Sequence, residues 1–386
     1  MGETMNVPNT TVEPGSPRDL RLKLLAEKAE DNIRRNNEEY AQRRVVLAST
    51  PQNIFVQINA VCNANCVFCS KGYDYPLFRL DDWLKHYGDK ITPALAQARQ
   101  VILTGSGEFL GLPDAQRILE YFNSEFPHVE KYVATNATYL TPKIVDLICS
   151  GSSKYVVQLS LHASRPEIQR VMMRYGAYDR VQKNIRALME ARDKKNVNVL
   201  FMFIMTTLNI DDLPDFIRYA SRMGADKVVC GYFYIYESNQ KYLSLYFMQE
   251  KANQRLEEAR RVADELGITL QAPPKFGLTP EVYKAFDVCQ EPWYQFMMSN
   301  DGYVLPCDAY GSFPREENLN VMSFSELWNG PTYRKIRTDI VDGKGCLLTC
   351  SRHNPKSVND WNSHVIHRFK EDRQIIKEHH ESLRRP

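Results

Sequence analysis

The stretch Cys62-Asn63-Ala64-Asn65-Cys66-Val67-Phe68-Cys69 decides how this chain is read. Three cysteines spaced C-x3-C-x2-C offer three thiolates from a loop short enough to wrap one iron–sulfur cluster. A [4Fe–4S] cluster takes four ligands, so the loop leaves one iron open to chelate the amine and carboxylate of a small molecule. The alternating run Ile54-Phe55-Val56-Gln57-Ile58-Asn59 just upstream reads as a strand, which sets the loop at a strand's carboxyl end. A zinc knuckle is the competing possibility. Zinc sites, however, come mostly as paired C-x2-C units, and here three cysteines fall within eight residues.

With 386 residues the chain has room for a large domain and a smaller one. A net charge of +2 and 25% charged residues argue against nucleic-acid binding, which leaves a strongly basic footprint. No apolar run is long enough to span a membrane. The N-terminus has no apolar signal-peptide core, and Asn6 breaks a myristoylation pattern opened by Met1-Gly2. A cytoplasmic protein is expected. In that setting the nine cysteines are read as metal ligands rather than disulfides.

Residues 1–17 are rich in Thr, Pro, Gly and Asn and are expected to be disordered, followed by a helix from Leu20 to about Arg44. Only 61 residues precede the cysteine loop, so neither a Rossmann-like domain nor a winged-helix peptide-recognition module is expected ahead of it. Beyond the loop, strand-like runs at Val101–Leu103, Tyr132–Ala134, Tyr155–Leu161, Val197–Met205 and Val228–Tyr236 alternate with helical patterns. Those patterns lie near Ala115–Asn123, Pro142–Ser150, Tyr178–Ala191 and Leu213–Arg222, with another from Met248 to Leu266. Six β/α units in series predict a parallel sheet with helices outside it, and the chemistry is sought at the strands' carboxyl ends.

The C-x3-C-x2-C spacing with Phe68 before its last cysteine resembles the radical S-adenosylmethionine (SAM) superfamily. The resemblance implies a partial (β/α)6 barrel over residues 51–275, after an N-terminal segment of residues 1–50. It also implies that Cys62, Cys66 and Cys69 hold a [4Fe–4S] cluster that binds SAM, fed by a flavodoxin- or ferredoxin-type reductant. Thr104-Gly105-Ser106-Gly107-Glu108, after the second strand, is similar to the family's Gly-Gly-Glu motif, with Ser106 where glycine is frequent. There Gly105 and Gly107 let backbone approach the ligand, and Glu108 can accept a bond from the methionyl ammonium. Thr135-Asn136-Ala137 resembles the family's Thr-Asn-Gly. Ser160 and Arg174 stand where relatives contact the ribose and carboxylate of SAM, and a guanidinium fork suits a carboxylate. Asn209 resembles a SAM-proximal asparagine, or caps the next helix. His162 is a candidate base or a structural histidine. Cys230 is a candidate hydrogen-atom donor or a buried core thiol. The aromatics of the sixth strand either line a substrate pocket or reflect ordinary strand preference.

A second set of cysteines follows the Pro273-Pro274 boundary. Cys289-x12-Gly302-x4-Cys307 brackets the hairpin signal Ser299-Asn300-Asp301-Gly302-Tyr303, and Cys346-x3-Cys350 adds a pair. Four thiolates satisfy a fully ligated [4Fe–4S] cluster, with structural zinc as the generic alternative. The pattern, with Phe324-Ser325-Glu326-Leu327-Trp328 downstream, resembles the SPASM auxiliary-cluster domain or its shortened Twitch form, expected over residues 276–355. Trp361, Val365, Phe369 and Ile376 predict a C-terminal helix within 356–386.

The resemblance implies reductive cleavage of SAM and hydrogen abstraction from a substrate carbon. An auxiliary cluster favours net oxidation of a small molecule such as a sugar or aminocyclitol. Peptide cross-linking and redox-neutral epimerisation through Cys230 are the alternatives within the class. A non-catalytic iron–sulfur electron carrier is the alternative outside it.

Overall fold

The structure is a computed structural model and describes residues 17–69, 77–233, 235, 238–277, 289–307, 314 and 316–344. Cys346, Cys350 and the expected C-terminal helix lie outside the described residues, as do residues 1–16. Helix α1 runs Pro17–Ala41, and strand β1 (Asn53–Gln57) leads to the cysteine loop. Helix α2 (Leu80–Trp83), a π-helical turn and α3 (Asp89–Leu95) then precede β2 (Gln100–Thr104). From there the chain alternates: α4 (Ala115–Glu125), β3 (Glu130–Thr135), α5 (Pro142–Cys149), β4 (Tyr155–Ser160), α6 (Pro166–Met173) and α7 (Tyr178–Ala191). It continues through β5 (Val197–Met205), α8 (Leu213–Met223), β6 (Lys227–Tyr232), α9 (Gln249–Leu266) and β7 (Thr269–Gln271). The C-terminal part adds α10 (Glu291–Tyr294), β8 (Gln295–Met298), β9 (Val304–Leu305), α11 (Phe324–Trp328) and α12 (Pro331–Val341).

The described strands form one sheet in the order β7-β6-β5-β4-β3-β2-β1-β8-β9, parallel except for the β8–β9 hairpin. Strands β1 to β7 stand in chain order. Right-handed crossovers that always step the same way deposit every helix on one face of the sheet. The side chains show the result. Ile54 and Val56, Val101 and Leu103, Val157 and Leu159, and Val199, Phe201 and Phe203 are fully buried. They share one core with Ile118, Phe122, Ile185, Leu188 and Phe216 from the helices. Each such side chain contributes about 1.5–3 kcal/mol by leaving water. The intervening residues Gln57, Thr104, Gln158, Ser160 and Met202 face the other way and are only half-buried. This second face is the open one.

Strand β6 ends at Tyr232 rather than at Tyr236. Its partner β5 stops at Met205, which is opposite Tyr232 and accepts a last bond from Phe233 N (3.1 Å); residues 234 and 236 of the expected run lie outside the described residues. Helix α5 starts where Thr141 Oγ1 accepts from the Ile144 amide and Pro142 fills the first turn.

The C-terminal part extends the same sheet. Strand β8 lies parallel to β1, with Asn53 opposite Gln295 and Val56 opposite Met298. The hairpin expected at 299–303 is present, with Gly302 at φ +84° and so close to the Tyr87 ring that a Cβ there would sit 2.7 Å from it. Residues 44–49 are clasped by this part. Trp293 Nε1 donates to Arg44 O (2.7 Å), and Trp328 Nε1 donates to Ser49 O (2.9 Å). Leu47 and Asn329 exchange two bonds of 2.9 Å. Among the described residues no helix is long and apolar enough to cross a membrane.

Candidate functional site

Beyond β1 the backbone keeps pace with the residues beyond β2. Ile58 N donates to Thr104 O (3.0 Å) and Ala60 N to Ser106 O (2.8 Å). The two segments run so close that a Cβ on Gly105 would lie 2.4 Å from Ile58 O, and one on Gly107 would lie 1.8 Å from Ala60 O. Gly107 also sits at φ +99°. What approaches these glycines in the chain itself is therefore the backbone that launches the cysteine loop, a cause the motif alone did not reveal. Asn59 joins the same seam: its Oδ1 accepts from Ser106 N (3.2 Å), and its Nδ2 donates to Asn300 Oδ1 (3.0 Å) in the C-terminal hairpin.

The loop is then fastened at three further points. Asn136 Nδ2 donates to Asn63 Oδ1, and Asn63 Nδ2 donates to Thr138 Oγ1, both at 2.9 Å. Asn65 N and Val67 N donate to Met173 O (3.0 Å) and Met172 O (2.9 Å) at the end of α6. Gln240 Nε2 donates to Val67 O (3.2 Å) and Cys69 O (3.1 Å). Cys62 and Cys66 are half-buried and Cys69 is exposed. Asn63, Thr138 and Gln240 were not singled out from sequence. Of these, Asn63 carried a signal, since it lies inside the cysteine stretch.

Glu108 is buried, with the ends of β2 and β3 closed around it. Its Oε1 accepts from Thr135 Oγ1 (2.6 Å) and Leu110 N (3.3 Å), and its Oε2 accepts from Asn136 N (2.7 Å). Burial raises its pKa, and these three bonds oppose the rise. A carboxylate offers about four lone-pair sites, so one remains for a ligand ammonium. Asn136 is equally occupied, since its Oδ1 accepts from both Thr138 N (3.0 Å) and Thr138 Oγ1 (2.5 Å).

Asn209 caps nothing with its side chain. Its Oδ1 accepts from Thr206 N (2.8 Å) and Thr206 Oγ1 (3.0 Å), while its Nδ2 donates to His162 O (2.9 Å) and Ile204 O (2.8 Å). It therefore pins the ends of β4 and β5 together. His162 follows at φ +60°, a left-handed conformation uncommon outside glycine. Its Nδ1 accepts from Ile204 N (3.1 Å), so this nitrogen is bare and the proton sits on Nε2. Burial pushes its pKa down to about 3. A neutral imidazole whose lone pair is already spent is no free base; it packs edge-on against Phe68 at 4.6 Å instead. Asp212, also missed from sequence, is buried and accepts from Ser164 N (2.6 Å), Ser164 Oγ (2.7 Å) and Arg165 Nε (3.1 Å).

Two of the expected ligand contacts are left without such duties. Ser160 ends β4 on the open face, half-buried. Arg174 is exposed at φ +50°, directly after the Met172–Met173 carbonyls that hold the loop. Cys230 lies elsewhere. It occupies a buried position of β6 opposite Phe203, in the helix-side core with Val228, and burial raises its thiol pKa strongly. Adjacent Gly231 takes the open-face position, where a Cβ would meet Ile204 at 3.8 Å. The alternation thus turns Cys230 away from the face that Ser160 shares.

Of the second set, Cys289 and Cys307 lie within the described residues and both are half-buried. Cys289 precedes β8 and Cys307 follows β9, so the hairpin delivers both toward the amino end of the sheet. In agreement, Cys307 influences the Tyr333 hydroxyl, which donates to Gln295 O (3.1 Å) at the start of β8.

Residues 56–220 match the family model described as the radical SAM superfamily, and residues 289–352 match an iron–sulfur cluster-binding domain, SPASM. The chain belongs to the radical SAM superfamily. Its fold is shared by SuiB from Streptococcus suis, at TM-score 0.60 and 15% identity over 80% of this chain and 72% of that one. It is shared as well by anSMEcpe bound to AdoMet and the Cp18Cys peptide, at TM-score 0.56 and 16% identity over 77% and 84%. A probable dual-specificity RNA methyltransferase RlmN from Enterococcus faecalis is 25% identical over 177 residues, 42% of this chain and 48% of that protein. The chain thus spans about half the length of this curated relative. As a radical SAM enzyme with a SPASM domain it uses iron–sulfur clusters and SAM. The loop fits such a cluster. Among the described residues no three His, Cys, Asp or Glu side chains close on a single-ion site. Thiolates that bind three different irons of one cluster have no need to.

Proposed function

We propose that this radical SAM enzyme generates a 5′-deoxyadenosyl radical at Cys62, Cys66 and Cys69 and uses it for net oxidation of a small polar metabolite, such as a sugar or aminocyclitol. The observation that carries this reading is the three-thiol loop, held at the carboxyl end of β1 by bonds to β2, β3 and α6. Cys62, Cys66 and Cys69 would hold the cluster, and it would supply the single-electron reduction that cleaves SAM. The chain's own residues orient the nucleotide and exclude water. Ser160 Oγ is assigned to the ribose, the Arg174 guanidinium to the carboxylate, and the remaining acceptor site of Glu108 to the ammonium. Gly105, Gly107, Asn136 and Asn209 hold the strand ends in register beneath it, and Phe68 closes the loop over His162.

Oxidation needs an acceptor for the electron left on the substrate, and the four-cysteine set Cys289, Cys307, Cys346 and Cys350 supports a second [4Fe–4S] cluster in that role. On the open face, which also carries Phe55, Ile102, Met202 and Ile204, the polar side chains of Gln57, Thr104, Gln158 and Ser160 support a polar substrate. Epimerisation through Cys230 loses support, because that thiol is buried on the opposite face. A peptide substrate is the second reading, favoured by the fold shared with SuiB, which has been solved bound to precursor peptide SuiA. A flavodoxin- or ferredoxin-type carrier is proposed as reductant, in the cytoplasm, where thiols stay reduced.

Anaerobically reconstituted protein should carry about eight irons, four per cluster. Reduced in the presence of SAM, it should release 5′-deoxyadenosine, and Cys66→Ala should abolish the release. Iron-replete protein that yields none would overturn the proposal. In D2O an oxidised product is two hydrogens lighter and carries no solvent deuterium on carbon. A product of unchanged formula with one deuterium would mean epimerisation instead.

A further inference from the structure

Charge is spread unevenly over this chain. Residues 165–186 hold six Lys and Arg against two Asp and Glu, a net +4 within a total of +2, so the remaining residues are net negative. The segment covers α6 and the first part of α7. Of its two acids, Glu167 turns to Arg165 at 3.8 Å. Asp179 sits in the first turn of α7, where a carboxylate complements the helix dipole. Of its cations, Arg174 is already assigned to SAM. Arg170, Arg180, Lys183 and Arg186 are exposed, and among the described residues none of them stands within salt-bridge distance of an acid. Arg170 and Arg180 border one cleft of about 410 Å³ between α6 and α7, so the charges of the two helices converge. Met172 O and Met173 O, at the end of α6, accept from Val67 N and Asn65 N on either side of Cys66. Arg170 lies within one turn of them but on the exposed side of the helix, next to exposed Val171. The patch is thus about one helix's width, ~10–12 Å, from the backbone of the cysteine loop. It belongs to the outer helix layer, whereas SAM and substrate are placed on the open face of the sheet.

We propose that the outer face of α6 and α7, through Arg170, Arg180 and Lys183, docks the electron donor of the site at Cys62, Cys66 and Cys69, an acidic protein that gives up one electron at a time. Its carboxylates meet cations that lack partners within the chain. The donor is oxidised by one electron and the cysteine site is reduced by that electron; no atom or proton moves. A one-sign patch of this kind raises the on-rate of an oppositely charged partner by about 10- to 1,000-fold, and salt screens the effect. A substrate has no such call on this face, because it lies on the far side of α6 from the open face.

The inference rests on the function proposed above, and the two fail differently. Iron-replete wild-type protein that releases no 5′-deoxyadenosine with dithionite defeats the function. The inference itself is tested with a reduced flavodoxin of net negative charge in place of dithionite. The double variant Arg170→Glu, Arg180→Glu should slow flavodoxin-driven release of 5′-deoxyadenosine about tenfold or more and leave the dithionite-driven rate unchanged. Its affinity for oxidised flavodoxin, read by calorimetry without turnover, should fall by a similar factor. Added NaCl should weaken the wild-type binding, and the double variant Arg170→Lys, Arg180→Lys should retain it. If charge reversal costs iron, the neutral pair Arg170→Gln, Lys183→Gln decides. Flavodoxin binding and flavodoxin-driven release unchanged in iron-replete variants, or a loss shared equally by the dithionite-driven rate, would overturn the inference.

Discussion

Lys131 is the most deeply buried cation on the sheet, and its ammonium is satisfied only in part. Nζ donates to Phe126 O (2.7 Å) and Ser153 Oγ (3.2 Å), with no carboxylate beside it, and desolvation lowers its pKa to about 7. Because the folded-state pKa lies below the unfolded one, the unfolded chain holds the extra proton between about pH 7 and 10.5, so stability rises with pH across that window. Urea unfolding at pH 7 and pH 9.5 should show the rise, and Lys131→Met should abolish it. A slope that survives the substitution would refute the assignment. At Glu108 the expectation is different. Gln cannot accept at both oxygens, so Glu108→Gln strands the Asn136 or Leu110 amide and should cost about 1–3 kcal/mol in urea unfolding. The proposed cysteine ligands were legible as letters. The bonds that fasten their loop were not, because Asn136 Nδ2 meets Asn63 Oδ1, and Asn63 Nδ2 meets Thr138 Oγ1, only when distant strand ends come together.

The seam between the β1 and β2 exits gives the clearest comparison between elements. Gly107 and Gly151 both have φ near +90°, but only Gly107 faces a backbone oxygen, Ala60 O; Gly151 faces open space. Ala at either position pays about 1–2 kcal/mol for the left-handed backbone. Gly107→Ala must in addition push the cysteine loop aside. It should therefore lose iron on reconstitution, while Gly151→Ala keeps it; equal iron content in the two would show that the loop tolerates the shift. Elements with sustained periodicity, such as β5 and α7, end where the sequence pattern ends. Helix α6 escaped notice because eight residues opened by Arg165-Pro166 give too little period to recognise. Strand β8, Gln295-Phe296-Met297-Met298, shows no alternation, and its partner lies in a distant part of the chain.

At the scale of the molecule, the sheet order explains both the one-sided helices and the single open face on which SAM and substrate are proposed to meet. Local runs made the singly wound series predictable. The continuation through β8 was not, since a parallel partner can be recognised only once the fold brings it alongside.

That parallel pairing also sets a timetable. During synthesis β1 finds β2 early, but its other edge waits about 240 residues for β8. At ~5–20 residues per second that is on the order of ten to fifty seconds on the ribosome. Throughout this interval the strand that launches the cysteine loop is an unguarded template for any other nascent chain. A chain stopped after residue 277 should sediment on ultracentrifugation, and Phe55→Lys, a charge on that edge, should return part of it to the supernatant.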